Sequence, residues 1–250
     1  MRDELQQDPA RMPSTPRKPE LPKRFYTEVS VAETPAGFEI RLDGRPVRTP
    51  ARTMLALPNR TSAEAVAAEW EGQGTHIDPA TMPVNRLVNT VLDGVAMNPG
   101  ATRSDLGRYA ETDLIAYRAD EPERLVERQA EAWDPLIAWV RDRFGVHVAM
   151  ASGVMHVAQA PDTLQVLRAR LDHEADPFRL AAIHQMTTLT GSLILALAVA
   201  EGRLGADEAW RLAHVDEDWN ISLWGEDEEA QARRAARLTD MRAADLLLRD

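Results

Sequence analysis

Between Phe25 and Leu57 apolar and polar residues alternate in short runs, whereas beyond Pro99 the apolar residues recur every three to four positions. The first pattern predicts strands and the second helices, so the chain reads as α+β, a small antiparallel β-rich N-terminal domain followed by a larger all-helical C-terminal domain. Phe25 to Val31 and Phe38 to Leu42 alternate around Thr34-Pro35-Ala36-Gly37. Asp43-Gly44 then turns the chain tightly into Arg45 to Thr49, and Met54 to Leu57 continues the meander. Such a sheet has one wet face and needs a cover for the other. Thr61 with Glu64 has the spacing of a capping box, and Val66 and Trp70 supply a short stripe, which predicts a covering helix over 61–73. A proline-bounded loop from Ile77 leads into a helix through Leu92. Asn98-Pro99-Gly100 is the preferred boundary, giving an arm over 1–23, a β-rich domain with one or two helices over 24–98, and a helical domain over 99–250.

The helical part divides by its own signals. Thr102 to Ala110 leads into Thr112-Asp113-Leu114-Ile115-Ala116-Tyr117. Leu125, Gln129, Trp133, Leu136, Val140 and Phe144 then mark a long helix that kinks or restarts at Asp134-Pro135. Val146 to Ala149 has the makings of a short strand. Pro161 to His173 is the next helix, and Asp176-Pro177 opens one whose stripe runs through Leu180, Ile183, Thr187, Gly191, Ile194 and Ala198. Glu226 to Leu248 closes the chain, with acids at its start as the helix dipole prefers.

Before it lies Trp210 to Glu229, in a helix predicted from Gly205 to Trp224. At 100° per residue Trp210, His214, Glu217, Ile221 and Trp224 share one face, with Leu212, Trp219 and Leu223 opposite. A helix apolar on two sides is expected to be held between two surfaces. Glu217 in such a stripe is either paired or reserved for a partner, because burying a lone carboxylate is costly. Trp133, Trp139 and Trp210 are expected in the core, while Trp219 is open to either role.

Composition narrows the function. With 250 residues and no cysteine, the chain has room for a sizeable core and carries neither a disulfide framework nor a thiolate centre, which suits a reducing compartment. A formal net charge of -11 argues against nucleic acid as a partner. The arm is polar and proline-punctuated; Asp3, Glu4 and Asp8 are out of keeping with a mitochondrial presequence. The longest apolar run, Leu193 to Ala200, is far shorter than the roughly 20 residues a membrane span needs. A cytoplasmic protein without membrane insertion is the expectation.

Chemical motifs are scarce. Phosphate loop, dinucleotide fingerprint, zinc-protease helix and serine elbow are all missing from the sequence. His147, His156, His173 and His184 lack ligand spacing, so no metal, cofactor or small-molecule substrate is expected. Asp216-Glu217-Asp218 and Glu226-Asp227-Glu228-Glu229 are the acidic clusters, the second read as a solvated helix start. For Glu217 three roles stay open: structural ion pair or cap, partner contact, or acid/base work with His214 in a small hydrolase or lyase.

Six stretches, taken in order, resemble one family. They are Lys23-Arg24-Phe25-Tyr26; Leu42-Asp43-Gly44-Arg45-Pro46-Val47-Arg48-Thr49-Pro50; Glu69-Trp70 with Ile77 to Leu87; Thr112 to Ala119; Arg128-Gln129 with Trp133-Asp134-Pro135-Leu136; and Asp216-Glu217-Asp218-Trp219 through Leu223-Trp224-Gly225. Together they resemble the assembly chaperones of the F-type ATP synthase that attend its alpha subunit, found in mitochondria and in some bacteria. The resemblance runs from Lys23 to about Ala230 and implies the same two-part architecture. It also implies a non-catalytic protein that binds the unassembled alpha subunit, shields its beta-facing interface and leaves as assembly proceeds. The family's functional acid matches Glu217, with Asp218 the neighbouring register, and Trp219 and Trp224 complete the expected partner-binding set. Trp219 stands where the family commonly carries a smaller aromatic. Lack of a presequence points to a bacterial cytoplasm, and a general client-binding adaptor is a further reading.

Overall fold

A computed structural model describes residues 21–153 and 156–249. Most of the expected N-terminal arm therefore lies outside the described residues. β1 (Val29–Thr34) and β2 (Gly37–Leu42) form an antiparallel hairpin with Val29 opposite Leu42 and Thr34 opposite Gly37. The far edge of β2 carries β3 (Arg45–Pro46) at one end and β4 (Ala56–Leu57) at the other. Asp43 and Gly44 both have positive φ, 48° and 76°, the requirement of a two-residue hairpin turn whose twist matches the strands. Asp43 Oδ1 accepts from Thr27 N, Thr27 Oγ1 and Glu28 N, which ties the turn to the chain entering β1.

α1 (Arg60–Glu71) packs on this sheet and buries Ser62, Ala63 and Val66. Its cap is Asn59, whose side chain accepts from Ser62 N at 2.8 Å, and the Thr61–Glu64 pair falls inside the helix. α2 (Pro83–Thr90) starts on a carboxylate from another helix: Glu69 accepts from Val84 N and Asn85 N. This satisfies two orphan donors that a local cap would otherwise serve. A π-turn over Val91–Val95 follows, and α3 (Pro99–Tyr109) begins with the Asn98 side chain accepting from Ala101 N.

β5 (Tyr117–Arg118) pairs in parallel with β6 (Ala151–Ser152), so the short strand lies just after the Val146–Ala149 stretch expected to form it. Between them α4 (Glu123–Phe144) runs through Pro135 without restarting and ends on Gly145 at φ 71°. α5 (Pro161–Asp172) and α6 (Pro177–Thr190) follow. The expected stripe beyond Thr190 does not belong to one helix. Gly191 takes φ 72°, Ser192 caps a new helix by accepting from Leu195 N, and α7 (Leu193–Ala200) runs in another direction with Leu193 to Val199 all buried.

α8 (Ala206–Ala213), α9 (Val215–Trp224) and α10 (Glu228–Leu248) complete the fold, the last capped by Asp227 on Ala230 N. α10 lies against α6, α2 and α8. One apolar cluster runs from Ile40, Leu55 and Leu57 in the sheet through Val84, Val88 and Ile183 to Leu247 and Leu248. Polar bonds cross the same seam: Ser62 Oγ donates to Leu246 O, and Arg86 pairs with Asp240. Among the described residues no helix is long and apolar enough to cross a membrane.

Candidate functional site

The expected helix from Gly205 to Trp224 is two helices, and His214 is the reason. Its Nδ1 lies 2.6 Å from the Trp210 carbonyl, the acceptor that the His214 amide would use in an unbroken helix. That amide turns instead to Arg211 O, the His214 backbone leaves helical geometry, and the helix resumes with Asp218 N donating to His214 O. The two-sided apolar stripe consequently dissolves. Trp210 and His214 are buried with α8, while among the ten residues of α9 only Val215 is buried.

α9 is thus a largely exposed helix held at its root. Gln129 of α4 donates from Nε2 to Asp216 Oδ1 at 2.7 Å and accepts from Ala119 N through Oε1. Beside it Arg118 pairs with Asp134 at 2.9 Å and stacks over the Trp133 ring, whose indole N–H donates to Leu212 O. On the other side Asp218 is paired with Arg234 of α10. These contacts fix the first turn and leave the rest free to present side chains.

The four expected contact residues separate accordingly. Glu217 has a side chain 62% exposed and stands 3.7 Å from His214 Nε2. Trp224 is 85% exposed, with Leu223 exposed beside it. Asp218 is committed to Arg234, and Trp219 is half-buried. Positions 217, 221 and 224 share one face of α9. His214, Glu217 and Ile221 from that face and Arg233, Arg234 and Arg237 from α10 line an open cleft. The site therefore offers an exposed carboxylate, a row of guanidiniums and an indole standing clear of the body.

Burial pushes the His214 imidazole below its ordinary value, against the opposing pull of the Trp210 carbonyl and Glu217. Nδ1 donates to the Trp210 carbonyl, and Nε2 is beyond hydrogen-bond reach of Glu217. The acid/base reading of the pair finds no relay geometry here. The remaining histidines are dispersed: His184 pairs with Asp105 at 2.7 Å and His156 meets the Tyr117 hydroxyl. Among the described residues no cluster of three or more metal-ligating side chains occurs.

Two features escaped the sequence reading. Asp113 is fully buried, and its carboxylate accepts from Ser192 Oγ, Ile194 N and Ile115 N. It thereby caps α7 from outside that helix. Desolvation pushes its carboxyl up to about 6 in spite of these bonds. The second is a cleft between α4, α8 and α9 lined by Arg128, Arg203 and Arg211 with Glu131 and Glu208.

Comparison with known proteins gives a consistent answer. The profile described as ATP12 chaperone protein matches residues 23–141. The chain is 42% identical to Atp12 from Paracoccus denitrificans, whose crystal structure superposes with a TM-score of 0.83 over 91% of this chain and 97% of that one. A protein from Agrobacterium tumefaciens, described as a candidate chaperone, is 48% identical with a TM-score of 0.87, over 91% and 85% of the two chains. The mitochondrial atp12 protein of Schizosaccharomyces pombe is 24% identical over 220 residues, 83% of this chain and 75% of that protein.

Proposed function

This chain belongs to the ATP12 chaperone family, and we propose that it is an assembly chaperone of the F-type ATP synthase. On this reading it binds the unassembled alpha subunit in the bacterial cytoplasm, covers the surface that later faces the beta subunit, and is displaced as assembly proceeds. The observation that carries the reading is α9, anchored at its first turn yet exposing Leu223 and Trp224 beside Glu217. A large exposed indole on a fixed helix costs solvation and contributes little to the fold. It is suited to anchor a partner, with the carboxylate and the α10 arginines as a polar rim. Subunits destined for a ring expose apolar interfaces that aggregate before the neighbour arrives, and a cover for them has to be strong enough to protect and weak enough to leave. Such work involves no turnover, consistent with a family described as chaperones and with the 3.7 Å gap between His214 and Glu217.

The test is light scattering of the organism's own alpha and beta subunits, each diluted from denaturant with and without this chain. Suppression for alpha alone at near-equimolar ratio is the expected result. Equal suppression for an unrelated unfolded protein marks a general adaptor, and no suppression for alpha removes the proposal.

A further inference from the structure

Three of the stretches that carry the resemblance converge on a place that the α9 site does not use. Tyr26, Leu42, Val47 and Trp70 wall an open pocket of about 540 Å³ at the β2–β3 end of the sheet. The walls are fixed: the Tyr26 hydroxyl donates to Trp70 O at 2.6 Å, the two rings meet edge to face at 5.7 Å, and the Trp70 indole N–H donates to Asn85 Oδ1. Phe25 stands at the mouth, edge-on to Tyr26 but 73% exposed.

The rim is basic in a chain of net charge -11. Arg45 and Arg48 are exposed and line the pocket. Among the described residues neither has a carboxylate within ion-pair distance; Arg48 donates to Arg52 O, and Arg45 makes no side-chain hydrogen bond. The acid in the lining, Asp43, is occupied by the amides of Glu28 and Thr27 and by the Thr27 hydroxyl, which hold it below the usual carboxylate range, with Arg45 adding a smaller pull from beyond ion-pair distance. The positive φ values at Asp43 and Gly44 set the turn that places Arg45 at this rim.

We propose that this pocket is a second docking site, for a short acidic segment of a protein partner that seats an apolar side chain against Tyr26 and Trp70 and its carboxylates against Arg45 and Arg48. Charge complementarity selects an acidic occupant, and the apolar wall selects a peptide over a polyanion, whose binding would need a longer basic track. Guanidiniums suit this role because their planar forks grip carboxylates in a fixed geometry. The inference goes beyond the proposed function and holds whichever subunit α9 engages.

The test uses the full chain and a fluorescein-labelled peptide, Asp-Glu-Asp-Leu-Phe-Asp-Glu, followed by fluorescence anisotropy at about 50 mM salt, where screening is modest. Saturable binding is expected, weakened about tenfold or more by Arg45→Glu combined with Arg48→Glu and several-fold by Phe25→Ala. Glu217→Lys, altered only at α9, leaves peptide binding unchanged. A peptide with Gly-Gly in place of Leu-Phe, or with Lys in place of the acids, does not saturate. The altered side chains are exposed, so unchanged urea midpoints are expected for all variants. Lack of saturation by about 1 mM peptide, equal binding of the Gly-Gly control, indifference to the arginine changes, or displacement by a single-stranded DNA oligonucleotide at lower concentration each overturns the proposal.

Discussion

Asp113→Ala is expected to remove about 3 to 5 kcal/mol of folding stability, a large share of what a domain of this kind holds. The carboxylate is the shared acceptor for Ser192 Oγ, Ile194 N and Ile115 N, all buried. Alanine leaves these donors without water or partner and frees the start of α7, every residue of which from Leu193 to Val199 is packed in the core. Asp113→Asn is expected to cost less, because one oxygen still accepts while the new amide opposes the Ile194 N–H. The two also separate in pH dependence. A folded value of about 6 lies above the unfolded value of 3.8. The folded state therefore holds a proton that the unfolded chain does not, and Asp113's contribution to stability grows as pH falls from about 6 toward 4. In urea titrations the unsubstituted chain should gain about 1 kcal/mol on Asp113→Asn between pH 7 and pH 5. A loss under about 1 kcal/mol for Asp113→Ala would show that this carboxylate does not hold α7.

Glu217→Lys is the second large effect, and it falls on binding instead of folding. Its side chain is 62% exposed and stands 3.7 Å from His214 Nε2, beyond hydrogen-bond reach, so removing it costs the fold little. In the cleft a lysine replaces the carboxylate that stands beside Arg233, Arg234 and Arg237, so a basic or amide group of the alpha subunit loses its acceptor and meets a further positive charge. Capture of the alpha subunit should weaken tenfold or more. Trp224→Ser should act alike through loss of the apolar anchor, since an indole 85% exposed holds nothing in the free chain. Gel filtration with the alpha subunit and thermal melts of each variant check both. Full capture would remove these residues from the contact, and loss of the fold by Glu217→Lys would make Glu217 structural.

Legibility along the chain followed physical cause. The hairpins were readable because Asp43-Gly44 has only one use between alternating strands, and the start of α10 because an acidic cluster precedes its stripe. The break at Gly191 was hidden because α7 is apolar all round, so the periodicity of α6 continues unaltered across a change of direction. His214 hid the break between α8 and α9 for another reason: a side chain there takes over a backbone carbonyl, and no propensity encodes that. The error mattered for the site. Treated as one helix, Glu217 and Trp224 shared a face with Trp210 that was expected to be held between two surfaces; as two, Trp210 is buried while Glu217 and Trp224 stand in solvent. Asp113, distant in sequence from the helix it caps, left no local trace.

On the proposed function, the exposed face of α9 and the facing turns of α10 hold the alpha subunit. Amide hydrogen exchange of this chain with and without the unassembled alpha subunit tests it most directly. Slowed exchange over 215–224 and 230–237 is expected on adding alpha, and unchanged exchange on adding beta. Protection confined to other elements, with α9 exchanging as in the free chain, would contradict it.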